Sequence, residues 1–166
     1  MRETIGGTWL TQLVIVFMLV FVSFLALSIN YSKAFRVKNE TLSFIEKNEG
    51  ITTSTITFIN NYLNSTGYRT MGSCDEGSYG VSDLRNNQAF VTKAQKGKKY
   101  YYCVSKVKSK STNFQNKAYY KVKLFFQFNL PIVGNVFTFD VDGQTKDVIY
   151  PADGTCSERD SIQCTK

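Results

Sequence analysis

The sequence contains no histidine and only two prolines among its 166 residues. Histidine is the commonest general base and metal ligand, so its absence excludes Ser-His-Asp and Cys-His catalytic machinery. No cysteine precedes Cys74, and no Cys-x-x-Cys pair occurs, so the cysteine spacing suits no zinc site. The sequence therefore predicts a protein that is not an enzyme, with no catalytic residues, no metal and no cofactor.

An uncharged apolar run covers residues 9–29, with Trp9 at one end and Tyr31 just beyond the other. As a helix this run would be about 31 Å long, which matches a bilayer hydrocarbon core of about 30 Å. Aromatic side chains at both ends are typical of membrane interfaces. The sequence predicts a transmembrane helix over residues 8–30, with the lipid bilayer as a partner. A secretory signal cleaved after Ser28 is the alternative.

Two features of the sequence disagree about orientation. Lys33, Arg36 and Lys38 follow the span, and the positive-inside rule would then place the C-terminal part in the cytoplasm. All four cysteines also follow the span, and an even count in a small domain indicates disulfides and an oxidising compartment. We give the cysteines more weight, because a translocated domain overrides a few flanking charges. The prediction is a single-pass cell-membrane protein with its C-terminal domain outside the cytoplasm.

The pattern after the span predicts an α+β fold. No glycine or proline occurs between Thr8 and Glu49, so the helix is expected to continue outside the membrane over residues 31–50 and to stop at Gly50. The remaining residues, 51–166, form a small α+β domain that begins with a second, short helix over residues 53–64. Ser54 or Thr53 is expected to cap that helix.

A β-meander of three to four antiparallel strands is predicted behind the helices. Residues 98–107 are aromatic and β-branched, and residues 119–130 alternate apolar and polar side chains. A third strand is expected over residues 135–141. The dipeptide Asp142-Gly143 predicts a two-residue hairpin turn into a last strand over residues 146–150.

The residues before the span end in Gly6-Gly7 and are followed by Thr-Trp-Leu-Thr-Gln at residues 8–12. This junction resembles the type IV pilin-like superfamily, in particular the TadE-like pseudopilins, in which a membrane peptidase cuts after the glycine that ends a short polar leader. The resemblance implies a leader over residues 1–7 and a processing site at Gly7 and Thr8.

The same resemblance implies an assembly role for Gln12, the fifth residue of the processed helix. The family usually has glutamate there, and its carboxylate meets the amino terminus of a neighbouring subunit. Glutamine forms hydrogen bonds but carries no charge for that pair, which favours a minor or accessory subunit. The order of span, extended helix, short helix and strands is also similar to TadE-like proteins. The expected function is a structural subunit of a surface filament or secretion apparatus, whose partners are other pilin-like subunits or an assembly platform.

A basic stretch rich in tyrosine supports an alternative function. Its lysines include Lys98, Lys99, Lys121 and Lys123, interleaved with tyrosines. Lysines beside aromatic rings bind polyanions, so this surface could hold an anionic cell-wall polymer or nucleic acid. The chain would then be a membrane-anchored extracytoplasmic binding module that is never processed. A solvated sheet face whose lysines protect strand edges is the simpler interpretation of the same residues.

The four cysteines allow three pairings. We favour Cys74 with Cys103, which would tie an irregular loop to the first meander strand. Cys156 would then pair with Cys164 and close a small C-terminal loop.

Overall fold

Two helices and six strands make up the part of the chain that the computed structural model describes, which is residues 2–85, 91–109, 116–130 and 134–150. The helices precede the strands, so the fold is α+β as expected. The elements in chain order are α1 (Arg2–Lys47), α2 (Thr53–Ser65), β1 (Tyr79–Val81), β2 (Val91–Lys93), β3 (Tyr102–Ser109), β4 (Asn116–Leu130), β5 (Gly134–Gln144) and β6 (Val148–Tyr150).

Helix α1 is continuous over 46 residues, and its first residues include the segment interpreted as a leader. No proline removes a backbone donor between Thr8 and Glu49, and no glycine weakens the helix there. The helix ends close to the predicted stop, where the Gly50 N–H donates to the Ile45 carbonyl over 3.1 Å. Glu49 rather than a glycine takes the left-handed conformation, with φ of 53°. Left-handed backbone is uncommon for such a residue.

The two halves of α1 have different surroundings. Apolar side chains from Trp9 to Ile29 are exposed, whereas Ala34, Val37 and Ile45 are fully buried. With Thr41, which is also buried, these positions recur every three or four residues, which places them on one helix face. Tyr31, three residues before Ala34, is 54 % exposed, because the face that meets the sheet begins one turn later.

Helix α2 lies where the sequence predicted it and buries one apolar face. Ile56, Ile59 and Leu63 are all buried. The prediction of the cap was wrong, because the Thr52 side chain, one residue earlier, accepts the N–H of Thr55. Gly67 follows the helix with φ of 70°.

The sheet has more strands than the three to four predicted. Its order is β2-β1-β3-β4-β5, all antiparallel, and β6 pairs with β4. Strand β1 was missed because it is only three residues long, contains Gly80 and lies in a segment rich in turn-forming residues. Such a strand has no periodicity of its own and forms because β2 and β3 supply hydrogen-bond partners on both sides.

The predicted hairpin at Asp142-Gly143 is also wrong. Both residues lie inside β5, paired with β4. The chain continues past Thr145, whose hydroxyl accepts the Tyr120 N–H and whose N–H donates to the Tyr120 carbonyl. Strand β6 therefore extends along the same neighbour after a short irregularity. An Asp-Gly pair signals a turn only when no neighbouring strand offers a continuous partner.

Gly143 has a different role in the structure. A Cβ placed on it would lie 2.7 Å from a methyl carbon of Leu42 and 3.1 Å from the side chain of Lys38, both on α1. A hydrogen at this position lets the helix backbone approach β5 closely. The residue is therefore a contact point between helix and sheet rather than a turn.

The core lies between the two helices and one face of the sheet. Buried residues of α1 and α2 pack against Tyr102, Val104, Tyr120, Val122 and Leu124, which alternate along β3 and β4 as the pattern of residues 119–130 predicted. This layer holds the second half of α1 rigidly on the domain.

One polar contact crosses the core. The Tyr102 hydroxyl donates to Oδ1 of Asn60 on α2 over 3.0 Å, and both residues are buried. Burial raises the pKa of the Tyr102 phenol far above its usual value, so the hydroxyl remains a donor. The Asn60 Nδ2 has no hydrogen-bond partner among the described residues. The pair therefore specifies how α2 sits on the sheet without satisfying every polar group.

We expect Tyr102→Phe and Asn60→Leu each to lower the free energy of unfolding by about 1–3 kcal/mol, because each leaves the other polar group buried and unpaired. The double variant should recover most of that loss. Urea unfolding of the full chain in detergent micelles measures all four proteins. Simple additivity of the two single losses would contradict the assigned coupling.

Candidate functional site

The exposed half of α1 is the first candidate site. Its most apolar 18-residue window has a mean hydropathy of 2.7, and none of that window is buried against the rest of the chain. By length and composition, α1 is a helix that can cross a membrane. The predicted processing residues Gly7 and Thr8 and the predicted assembly residue Gln12 all lie on this half.

Polar side chains in this half differ in how they are satisfied. Thr11 donates to the Gly7 carbonyl over 2.9 Å, and Ser23 donates to the Leu19 carbonyl over 2.8 Å. Gln12 is exposed and has no hydrogen-bond partner among the described residues. An amide in hydrocarbon needs a partner, and in membranes that partner is typically another helix.

The disulfide joins Cys74 to Cys103, with Cα atoms 5.6 Å apart, and this is the pairing favoured from the sequence. It ties the segment before β1 to β3 across 29 residues of sequence. The pairing of Cys156 with Cys164 lies outside the described residues. A crosslink of this span stabilises by about 3.6 kcal/mol in the chain-entropy account.

Lys121 and Lys123 meet in a cleft of about 390 Å³ on the sheet face opposite the helices. Its walls also include Asp75, Ser105 and Asp142. Lys123 Nζ lies 2.8 Å from an Asp75 carboxylate oxygen and 3.6 Å from one of Asp140. The hydrogen bond to Asp75 is the main reason that the pKa of Lys123 is raised above its usual value. The cleft is therefore of mixed charge rather than uniformly basic.

The other predicted lysines do not join this cleft. Lys98 and Lys99 are exposed in the segment between β2 and β3 and do not line it. Lys106 belongs to the same basic stretch but is fully buried on the core face, with its Nζ 5.6 Å from the centre of the Tyr120 ring. The structure thus brings together two of the four lysines proposed for a polyanion surface.

Asp75 is the residue that sequence reasoning missed. Cys103 and Lys123 are direct neighbours across β3 and β4. The disulfide brings Cys74 against Cys103, so the residue after Cys74 arrives beside Lys123. The adjacency of Cys74 and Asp75 was the available signal in the sequence. It indicates an ion pair with Lys123 only once the register of β3 and β4 is known, because that register places Lys123 beside Cys103.

No cluster of three or more His, Cys, Asp or Glu side chains suited to a metal occurs in the described part of the chain. Comparison with known proteins finds no match: no family model, no characterised protein and no solved structure is significantly similar to this chain. Its function is therefore argued from its own residues.

Because the raised pKa of Lys123 reflects its aspartate partners, its ion pairs should stabilise the fold below about pH 10.5 and lose that effect as pH rises through the raised pKa. We expect Lys123→Gln to lower the free energy of unfolding at pH 8 by up to about 1 kcal/mol, since the pair is partly solvated. The difference from wild type should shrink above pH 10.5. Lys121→Gln, on the same face, is the matched control, and an equal loss there would contradict the assignment.

Proposed function

We propose that this chain is a pilin-like, TadE-type structural subunit of a surface filament or secretion apparatus, in the role of a minor subunit. Its N-terminal helix anchors it in the membrane, and its small domain lies outside the cytoplasm. The observation that carries the proposal is α1 itself, which is continuous over 46 residues, exposed and apolar in its first half and packed on an antiparallel sheet in its second.

The mechanical consequence of this design supports a structural role. The helix has no glycine or proline between Thr8 and Glu49, so it has no hinge there. The position of its apolar half in the bilayer therefore fixes the position of the domain. Such a rod can leave the bilayer laterally and bury its apolar half against the same half of neighbouring subunits. Either environment removes the exposed apolar surface from water.

Gln12 gives this packing a point of specificity. Its amide has no partner among the described residues, and it shares a helix face with Trp9 and Val16, at helical spacing. A cut between Gly7 and Thr8 would also remove the carbonyl that Thr11 now bonds. The processed helix would therefore present two adjacent polar side chains and a free amino group to a neighbour.

The Gly7–Thr8 bond lies within α1, so a peptidase would first have to unwind the helix there. Gly6 and Gly7 lower the cost, because each glycine weakens a helix by about 1 kcal/mol relative to alanine. A Cβ on Gly7 would meet nothing within 4 Å, so no described residue packs against this position. The site is thus physically accessible to unwinding.

A disulfide between Cys74 and Cys103 supports placement of the domain in an oxidising compartment outside the cytoplasm.

The alternative, an unprocessed polyanion-binding module, is favoured less, because two aspartates neutralise Lys123 and Lys106 is buried. The binding surface would then be reduced to Lys98, Lys99 and Lys121.

The first test is the N-terminal residue and intact mass of the protein recovered from its native membrane. We expect a chain that starts at Thr8. Gly7→Val should abolish this cut, because the branched side chain adds bulk beside the cleaved bond where the glycine has none, whereas Thr4→Ala within the leader should leave it intact.

A protein that retains Met1 would contradict the pilin-like proposal and favour the anchored binding module. A start near Ile29 would instead show signal cleavage and a secreted domain.

A second test concerns Gln12. We expect Gln12→Glu to increase incorporation into filaments or lateral complexes several-fold, because a carboxylate can pair with the amino terminus of a neighbour in a medium of low dielectric. Gln12→Leu should reduce it. Crosslinking in membranes through single cysteines placed in α1 measures the association between subunits. Ser28→Glu is the control for adding a charge elsewhere on the helix. If Gln12→Glu and Ser28→Glu changed the crosslinking yield equally, the assignment of Gln12 to the interface between subunits would be contradicted.

A further inference from the structure

A second concavity lies at the membrane end of the domain, where α1 emerges from it. This groove of about 340 Å³ is formed by α1, by the loop after α2 and by neighbouring positions of β4 and β5. Asn30 and Lys33 line it from the helix, and Arg69 and Thr70 line it from the loop. Gln127 lines it from the sheet.

The groove is cationic, unlike the cleft at Lys123. Lys33 and Arg69 are exposed, and neither forms an ion pair with a described residue. None of the described residues that line the groove is acidic. Two cations that no carboxylate of the described residues neutralises create a local positive potential that attracts an anion.

Its position relative to the bilayer decides what that anion is. Asn30, Lys33 and Val37 lie on one face of α1, just after Ile29 ends the apolar run. Lys33 is about 6 Å further along the helix than Ile29. The headgroup layer on each side of the hydrocarbon core is about 5–7 Å thick, so the groove opens at headgroup depth.

The lining suits a headgroup more than a large polymer. Its floor is apolar and aromatic, with Val37, Tyr68 and Phe126, while its rim carries the two cations, Thr70 and Gln127. Tyr68 is held rigidly, because its hydroxyl donates to the Tyr101 carbonyl and accepts the Phe125 N–H. The floor is therefore preformed, and only rim side chains need to adjust to a ligand.

We propose that this groove binds the phosphate of an anionic phospholipid headgroup and so sets the depth and tilt of the domain on the membrane. The Arg69 guanidinium can donate two parallel hydrogen bonds to phosphate oxygens, and Lys33 adds a point charge from the helix. A zwitterionic lipid offers the same phosphate but brings its own ammonium, which competes with both cations. The inference rests on the membrane placement of α1 and is independent of processing and filament assembly.

The test titrates the full chain in non-ionic maltoside micelles with dihexanoyl phosphatidylglycerol, dihexanoyl phosphatidylcholine or inorganic phosphate, and follows the backbone amide resonances of residues 66–70. We expect saturable shifts with phosphatidylglycerol at about tenfold lower concentration than with phosphatidylcholine, from two cations near the membrane surface. The variant Lys33→Gln/Arg69→Gln should lose that preference. The variant Lys98→Gln/Lys99→Gln removes the same charge elsewhere on the domain and should retain it.

Equal titration by the two lipids, or an equal loss in both double variants, would overturn the proposal. Saturation by inorganic phosphate at the same concentration as phosphatidylglycerol would assign the groove to soluble phosphate and would overturn its lipid assignment. Preserved chemical shifts in β3 and β4 of each variant show that the fold is intact. A failure here leaves the start at Thr8 untouched, so this proposal and the proposed function fail separately.

Discussion

The structure depends on one constraint: α1 is a single helix that must satisfy two different surroundings. Its first half exposes apolar side chains, and its second half buries a face against the sheet. Without a residue that breaks the helix, neither half can reorient on its own. Whatever covers the first half, lipid or neighbouring helices, therefore determines where the domain sits.

The second half of α1 is packed closely against the sheet. Ala34 and Gly143 are small residues on α1 and β5, and the close approach at Gly143 brings helix and sheet backbones together. On the opposite sheet face the disulfide at Cys103 carries Asp75 to Lys123, so one covalent link organises both the loop and its ion pair. The groove at Lys33 and Arg69 arises where this rigid body meets the exposed apolar half of α1.

Long elements were predictable because their periodicity repeats over many residues. Helix α1, helix α2 and the alternation along β4 all follow from the pattern of apolar side chains. Short elements were not. Strand β1 depends on partners distant in sequence, and Asp142-Gly143 looks like a turn but is held straight by β4. Local propensity is a weak determinant when a neighbouring strand supplies the hydrogen bonds.

The candidate sites divide in the same way. Gly7, Thr8, Gln12 and the apolar run are properties of consecutive residues, so the sequence by itself determined a helix long and apolar enough to cross a membrane and its candidate processing and assembly positions. Only the tertiary structure decided which lysines are available, because burial and ion pairs depend on contacts between distant segments. It buried Lys106, paired Lys123 with Asp75, and placed Arg69 and Lys33 around one groove. Helical periodicity is a property of residues close in sequence. The electrostatics of a surface instead depends on which distant residues the strand register and the packing of the elements bring together.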